Sequence, residues 1–184
     1  MKKRVVMIMA NGFEEIEAIA TADVMKRLGL DVKLAGMDGR KVTGAHDIVI
    51  EADCLLSEVN TDVDAVILPG GMPGATNLRD NINVIEFISE AYEKGKVVGA
   101  ICAAPIALAK AGILDGKRAT CYPSFESQFA NSTAYTASRL EVDGKVITAR
   151  GAGVSFEFGA AIGKALGASD SDVVQLFAGM FVVS

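Results

Sequence analysis

The chain has no tryptophan, only four prolines and one histidine, and aromatic residues make up 6% of its 184 residues. Its three cysteines lie far apart and form no CxxC pair, which argues against a disulfide framework and a structural zinc site and favours a reducing compartment. Because 51% of the residues are hydrophobic and few are aromatic, the core must be aliphatic. Such a core suits a buried parallel sheet that is covered by helices.

Runs of positive charge and long apolar segments are also missing. The net charge is −5 and no basic cluster exists beyond residues 2–4, so we expect no nucleic-acid partner. The first apolar stretch stops at Asn11 and Gly12, which makes it too short for a signal peptide and favours a strand. No stretch is long enough to cross a membrane. We therefore predict one cytoplasmic domain over residues 1–184.

Apolar runs of strand length alternate with segments of helical spacing. This alternation predicts a doubly wound, mostly parallel α/β sheet that is sandwiched by helices. The predicted strands are residues 5–9, 32–35, 47–51, 65–68, 97–101 and 118–121, followed by a hairpin over 140–148. The predicted helices are residues 14–28, 83–93, 104–111, 155–166 and 169–182. A capping box of Ser169 and Asp172 is predicted to start the last helix.

Cys102 lies where the predicted strand 97–101 runs into a predicted helix. This turn places the thiol beyond the carboxyl end of the sheet, where ligands bind in such folds. Because a helix N-terminus lowers a cysteine pKa, we expect a reactive thiol of lowered pKa. The alternative is that Cys102 is a small buried apolar side chain. Cys54 is expected to be a core or surface thiol, and Cys121 a secondary oxidation site.

Three other segments follow strands and should meet at the same edge, namely residues 11–17, 69–74 and 150–153. Glycines in these loops let the backbone approach a ligand and leave N–H groups free to bind an oxyanion. Gly71 and Ala103 are the predicted donors. The alternative is that the glycines only form tight turns. No phosphate loop is present, because the Gly-Lys-Ser/Thr ending is missing.

Three glutamates, Glu14, Glu15 and Glu17, lie in the first turn of the helix that follows the first strand. The helix dipole explains Glu14 and Glu15, although Glu14 is also a candidate residue of the pocket. Glu17 comes directly after the apolar Ile16 and is predicted to point partly inward. A carboxyl beside a thiolate at the sheet edge would have a raised pKa, stay protonated and donate a hydrogen bond to sulfur.

Four motifs together resemble the ThiJ/PfpI superfamily. They are EEIE at residues 14–17, VILPGG at 66–71, AICAAP at 100–105 and ARGAGVSFEF at 149–158. Within the superfamily they are similar to the branch of the protein deglycases and bacterial ThiJ/YajL-like proteins. The resemblance implies a flavodoxin-like fold of the class I glutamine-amidotransferase type and a homodimer.

The resemblance also implies a nucleophilic, oxidation-prone Cys102, a partner carboxyl at Glu17 and an oxyanion pocket from the amides of Gly71 and Ala103. The implied chemistry needs no cofactor or metal and acts on α-oxoaldehydes or their glycated adducts, as a glyoxalase III or protein deglycase does. A non-enzymatic redox sensor or redox-regulated chaperone would use the same cysteine. Thiazole monophosphate biosynthesis and peptidase or amidase action are further assignments within the family.

One position departs from the family pattern. Relatives have a histidine before a proline where this chain has Tyr122. Tyr122 is a candidate pocket residue that can form a hydrogen bond there, but a phenol with a pKa of about 10 is a poor general base. Peptidase-type chemistry is therefore disfavoured, whereas glyoxal chemistry can use Cys102 and Glu17 alone. The one histidine, His46, is expected at the surface or an edge. By analogy it lies near a dimer-related site, with Arg27 as a second basic group for an anion.

Overall fold

Seven strands form the central sheet of the computed structural model, which describes residues 2–182, in the order β10-β11-β7-β6-β1-β2-β5. The strands are β1 (Arg4–Met9), β2 (Asp31–Gly36), β3 (Lys41–Thr43), β4 (Val49–Glu51), β5 (Cys54–Leu55), β6 (Ala65–Leu68), β7 (Val97–Ile101), β8 (Arg118–Ala119), β9 (Ala134–Tyr135), β10 (Leu140–Asp143) and β11 (Val146–Ala149). The helices are α1 (Glu15–Arg27), α2 (Gly74–Asp80), α3 (Ile82–Glu93), α4 (Pro105–Lys110), α5 (Ser155–Ala165) and α6 (Asp170–Gly179). Within the described residues, no helix is both long enough and apolar enough to cross a membrane.

The sheet is parallel except for the hairpin of β10 and β11. The chain runs outward from β1 through β2 to β5, then returns to the other side of β1 through β6, β7 and β11. This order confirms the predicted doubly wound, flavodoxin-like class. The order of winding reverses between β1 and β6, and ligands of such sheets bind beyond the carboxyl ends of strands at this position.

Helices cover both faces of the sheet, so every residue of β6 and β7 is buried. One face packs against α1 and α5 through Met25, Phe158 and Ile162. The other face packs against α2, α3 and α4 through Leu78 and Ile88 among others. Burial on both faces explains why these strands are continuous apolar runs and why their bounds, 65–68 and 97–101, agree with the prediction. The predicted domain covers residues 1–184, of which residues 1, 183 and 184 lie outside the described residues.

The predicted capping box of the last helix is confirmed. Ser169 Oγ accepts a hydrogen bond from the Asp172 N–H at 3.2 Å, and the Asp172 carboxylate accepts one from the Ser169 N–H at 2.8 Å. The helix that follows, α6, ends at Gly179 instead of residue 182.

Two predicted strands are wrong in extent. Residues 47–51 contain only the short β4, which pairs with β3 in a separate antiparallel ribbon and not with the central sheet. In the predicted strand 118–121, only Arg118 and Ala119 pair, with β9, because the chain then turns toward the end of β7. The strands β3, β5 and β9 and the helix α2 were not predicted, since each is short or follows a loop rich in glycine and proline.

Candidate active site

Cys102 lies directly after β7 in a constrained turn. Its φ of +62° falls in the left-handed region, which costs a residue with a Cβ about 1–3 kcal/mol. Two backbone hydrogen bonds hold this conformation: the Cys102 N–H donates to Ala149 O at 2.8 Å, and Cys102 O accepts from the Tyr122 N–H at 2.8 Å. The half-buried thiol is thereby fixed at the carboxyl edge of the sheet.

Glu17 lies beside this thiol, and the loop after β6 holds its carboxyl there. Although Glu17 lies in the first turn of α1, it is only 1% exposed, and its Oε2 accepts a hydrogen bond from the Gly70 N–H at 2.8 Å. A Cβ on Gly70 would lie 2.6 Å from Glu17 Oε2 and 2.7 Å from Cys102 Cβ. Only glycine therefore fits between the carboxyl and the cysteine. The sequence pattern did not single out Gly70, although the PGG motif held the signal.

Burial raises the pKa of Glu17 to about 7, although hydrogen bonds with Cys102 and the Gly70 N–H partly oppose that rise. Glu17 Oε1 is buried and has no conventional hydrogen-bond partner within residues 2–182. The Cys102 sulfur is the neighbour that interacts with the carboxyl. The side chain thus points inward as predicted, and a carboxyl of this pKa exchanges its proton near neutral pH.

The expected lowering of the Cys102 pKa is wrong. Burial, the negative charge of Glu17 and the hydrogen bond with its carboxyl all raise the pKa of the thiol. The following helix, α4, has only six residues and begins three positions later, at Pro105, so its dipole cannot offset these effects. Cys102 and Glu17 titrate as a coupled pair, which retains a single proton once the first has been lost.

Two backbone amides face the Cys102 sulfur, those of Gly71 and Ala103, and their hydrogen bonds lower the thiol pKa in part. Neither amide donates to a backbone carbonyl elsewhere in residues 2–182. Gly71 has a φ of +89°, and a Cβ there would lie 2.3 Å from the Glu14 nitrogen. The turn at Gly71 therefore requires glycine, and it brings a free N–H to the thiol.

Tyr122, which stands where relatives have histidine, is 51% exposed. Its ring packs edge-on against Phe125, with 6.4 Å between centroids, and lies near Gly151. Among residues 2–182, no side-chain hydrogen bond of the Tyr122 hydroxyl is formed. Tyr122 therefore shapes the rim of the site through its ring and its backbone N–H.

His46, between β3 and β4, lies beside the start of α1. Its Nδ1 is 2.8 Å from Glu15 Oε2 and 3.7 Å from Glu14 Oε2, and the hydrogen bond with Glu15 raises the pKa of the 67% exposed imidazole. The Glu14 N–H donates to Gly70 O at 2.9 Å, and the negative charge of Glu14 adds to the raised pKa of Glu17. His46 is thus an edge residue that pairs with glutamates outside the thiol site.

Arg27 does not reach the thiol site within one chain, and its place at a dimer-related site stays a prediction. It is the last residue of α1, which puts it about 15 Å along the helix from Glu17. Its guanidinium Nε pairs with Asp23 Oδ2 at 2.7 Å. The helix that brings Glu17 inward therefore carries Arg27 away from the thiol of the same chain.

The other two cysteines have different surroundings. Cys121 is fully buried, and burial raises the pKa of its thiol to about 12. Cys54 lies half-buried in β5, and burial again raises its pKa. Hydrogen bonds from backbone amides are not among the influences on either thiol. Among the three cysteines, Cys102 is therefore the one whose thiol faces both a buried carboxyl and backbone amides.

A buried carboxyl beside a cysteine on a constrained strand-to-helix turn defines a class of cysteine-centred proteins with a flavodoxin-like sheet. The profile of the DJ-1/PfpI family matches residues 3–165, and the chain belongs to this family. The predicted family membership is confirmed.

Relatives support this assignment over most of the chain. The crystal structure of DJ-1beta from Drosophila melanogaster superposes with a TM-score of 0.95, at 36% identity over 100% of both chains. A protein named deglycase from Pyrococcus abyssi is 32% identical over 149 residues, which cover 80% of this chain and 89% of that protein. A glutathione-independent glyoxalase from Caenorhabditis elegans is 33% identical over 159 residues, 85% of this chain and 84% of the relative. The match to DJ-1 homolog B of Arabidopsis thaliana, 38% identical over 159 residues, covers 85% of this chain but only 36% of that longer protein.

Proposed function

We propose that this protein is a cysteine-dependent, cofactor-free enzyme that converts small α-oxoaldehydes such as methylglyoxal, or their adducts, to hydroxy acids. The observation that carries the proposal is the contact of Cys102 with the buried carboxyl of Glu17 across Gly70. Two relatives bear the names deglycase and glutathione-independent glyoxalase, which supports this substrate class.

The first step adds sulfur to the aldehyde carbon. When the shared proton resides on Glu17, Cys102 is a thiolate, and its sulfur forms a C–S bond while the carbonyl electrons move to oxygen. The amides of Gly71 and Ala103, which face the sulfur, stabilise this oxyanion. Glu17 then gives its proton to the oxygen, and a neutral hemithioacetal results.

The second step moves a proton between the two substrate carbons. The Glu17 carboxylate removes the C–H proton of the hemithioacetal carbon and returns it to the neighbouring carbon, while the hydroxyl proton passes to the former ketone oxygen. The product is a lactoyl thioester of Cys102. One carbon is oxidised and its neighbour is reduced, so the reaction needs no external oxidant or reductant.

Water then cleaves the thioester, which releases lactate and restores the thiol. The net reaction is methylglyoxal plus water giving lactate. A carboxyl with a pKa of about 7 suits this sequence, because it can act as acid and base in turn near neutral pH. No general base in the place of the family histidine is required.

The test is lactate formation from methylglyoxal by the purified protein without glutathione. We expect slow turnover by the wild type and none by Cys102→Ala. Equal activity in the two proteins would refute the proposal. Retention of activity in His46→Ala is expected, since His46 pairs with Glu14 and Glu15.

A second candidate function is a redox sensor that uses Cys102 oxidation. It is favoured by Tyr122, whose half-exposed phenol replaces a histidine base and so leaves proton transfer to Glu17 alone. Mild peroxide followed by mass spectrometry tests it, with oxidation expected first at Cys102. A wild type that makes no lactate but oxidises readily at Cys102 would favour sensing over catalysis.

We also propose that the protein forms a homodimer. Four large apolar side chains at the start of α1 and around β4 are between 44% and 57% exposed, namely Ile16, Ile19, Ile48 and Val49. Exposed large apolar side chains in this number favour association. Light scattering of the wild type and of Ile16→Glu tests the assignment, and a monomeric wild type would refute it.

A further inference from the structure

A cavity of about 480 Å³ lies at the edge of the sheet opposite to Cys102. Five lysines line it, although they come from distant parts of the sequence: Lys3, Lys94, Lys96, Lys145 and Lys164. The whole chain has a net charge of −5, so this concentration of cations stands out. No basic cluster at this place was predicted, because only the fold brings these residues together.

The lysines of this cavity follow the architecture of the sheet. Lys3 comes directly before β1, Lys96 directly before β7 and Lys145 directly before β11. Since β7 and β11 are neighbours, and adjacent strands lie about 4.8 Å apart, Lys96 and Lys145 begin neighbouring strands. Asp64 precedes β6, which separates β7 from β1. The amino edge therefore carries a row of charges that are one strand apart.

Three of the five lysines already have carboxylate partners. The pairs are Lys3 with Asp64 at 3.0 Å, Lys94 with Glu90 at 2.5 Å and Lys164 with Asp170 at 2.5 Å. Lys94 and Lys164 also lie at the C-terminal ends of α3 and α5, where a helix dipole favours a cation. Their positions thus have a structural explanation.

Ion pairs and helix C-termini do not explain the positions of Lys96 and Lys145. Neither forms an ion pair in the part of the chain that the structure describes, 2–182. Both lie within the lining of the same cavity, and the backbone of each is positioned by the start of a buried strand. Lys96 lies close enough to Asp62 and Asp64 for its charge to lower the pKa of both carboxyls, but neither Lys96 nor Lys145 is held in a direct ion pair within residues 2–182, so an anion can bridge them.

We propose that this cavity binds a compact polyanion with adjacent phosphate groups, and that Lys96 and Lys145 are its main contacts. Lysine binds phosphate as a point charge without a fixed orientation. The cavity falls within the size range of small-molecule sites. We choose adjacent phosphates because the carboxylate of Asp64 also lines the cavity and attracts Lys96, so the ligand needs several negative charges to outweigh it.

The experiment uses inorganic tripolyphosphate as the probe, with calorimetry for affinity and amide NMR shifts for position. We expect saturable binding that weakens with added salt, with shifts at Gly95 and Gly167, which line the cavity. The double variant Lys96→Gln/Lys145→Gln should weaken binding at least tenfold. The matched control, Lys26→Gln/Lys110→Gln, removes the same charge from exposed sites elsewhere and should weaken it less than threefold.

Two further probes identify the chemistry. Citrate should bind more weakly than tripolyphosphate, because the proposal requires adjacent phosphates and not merely several negative charges. Tighter binding of ATP than of tripolyphosphate identifies a nucleotide as the source of the phosphates, and equal or weaker binding of ATP identifies free polyphosphate. Absence of tripolyphosphate binding, shifts that map elsewhere, equal losses in both double variants or equal binding of citrate would each overturn the proposal.

Discussion

The two edges of the central sheet treat charge in opposite ways. At the carboxyl edge, Glu17 is 1% exposed and shares its site with a half-buried thiol. At the amino edge, lysines such as Lys3, whose side chain is 52% exposed, stand in solvent before the strands. Desolvation makes each interaction strong at the first edge, whereas water and salt weaken it at the second. The carboxyl edge therefore suits chemistry on a proton, and the amino edge suits reversible attraction of an anion.

Replacement of Cys102 should have the largest effect on the chemistry of the carboxyl edge. In Cys102→Ala, lactate formation from methylglyoxal should fall to background, because neither of the other two thiols has Glu17 as its partner carboxyl. Cys54→Ala is the matched control and should retain activity, since it removes a thiol from β5 at a different part of the sheet. Loss of activity in both variants would point to a general dependence on thiols and would remove the distinction between the sites.

Glu17 variants should have the next largest effect. Glu17→Gln keeps the size of the side chain but cannot exchange a proton, so lactate formation should fall by about 10²–10⁴-fold. Because the charge of Glu17 raises the Cys102 pKa, the same variant should lower that pKa in an alkylation titration. If the Glu17→Gln variant has a lower Cys102 pKa but forms little lactate, the role of Glu17 is proton transfer and not activation of the thiol.

Glu14→Gln is the control for this variant. It removes a neighbouring charge that acts on Glu17 only through space, so we expect less than a tenfold change in activity. Glu17→Asp retains the acid but shortens its reach, and it should alter thiol oxidation more than Glu17→Gln does. If neither Glu17 variant moves the Cys102 pKa, the carboxyl only stabilises the start of α1.

The same carboxyl should also leave a signature in stability. Burial raises the pKa of Glu17 from 4.5 to about 7, so between these values the folded protein holds a proton that the unfolded chain has released. This contribution is fully present below pH 4.5 and is lost as the pH rises through about 7. It amounts to about 3 kcal/mol at most, since one pKa unit corresponds to about 1.4 kcal/mol.

Urea unfolding over this pH range measures the effect. The difference in the free energy of unfolding between wild type and Glu17→Gln isolates Glu17 from the other carboxyl groups, several of which have lowered pKa values and contribute in the opposite sense. We expect the wild type to lose stability relative to the variant as the pH rises. A difference that does not change with pH would show that Glu17 ionises normally in the folded protein.

Gly70 links the buried pair, and its substitution should destabilise the fold by about 1–3 kcal/mol through overpacking. In Gly70→Ala the new Cβ would lie 2.6 Å from Glu17 Oε2 and 2.7 Å from Cys102 Cβ. Gly179→Ala is the control, because a Cβ there has no neighbour within 4 Å. Gly70→Ala should lower both the temperature of thermal unfolding and the rate of lactate formation, and Gly179→Ala should lower neither. Equal stability of the two variants would show that the loop after β6 can move to accommodate a Cβ at position 70.

The fold could be predicted well where burial dictates the sequence. The strands 65–68 and 97–101 are covered on both faces, and their unbroken apolar character made their bounds clear. Short elements such as β3 and β9 depend on pairing with distant residues, and two or three residues hold no periodicity. The proposed anion site was missed for a related reason, since its lysines meet only through strand order.

The candidate active site shows the same division. The turn after β7 and the residue types identified Cys102 and Glu17, because local sequence carries both signals. The direction of the Cys102 pKa was wrong, since it depends on burial and on the charge of a residue far away in sequence. Within one chain Arg27 lies at the far end of α1 from Glu17, and its role at a dimer-related site rests on the family analogy, because local sequence carries no signal about a second chain.

Charge removal at the amino edge should have the smallest effect on the thiol. Lys96 precedes β7 and Cys102 follows it, so the five residues of that strand separate them by about 20 Å. This is more than twice the Debye length of about 8 Å at physiological ionic strength. In Lys96→Gln/Lys145→Gln, lactate formation and the rate of Cys102 alkylation should therefore change less than twofold. A larger change that disappears with added salt would mean that the two edges are electrostatically coupled, and a larger change that persists in salt would mean that the variant shifts β7 itself.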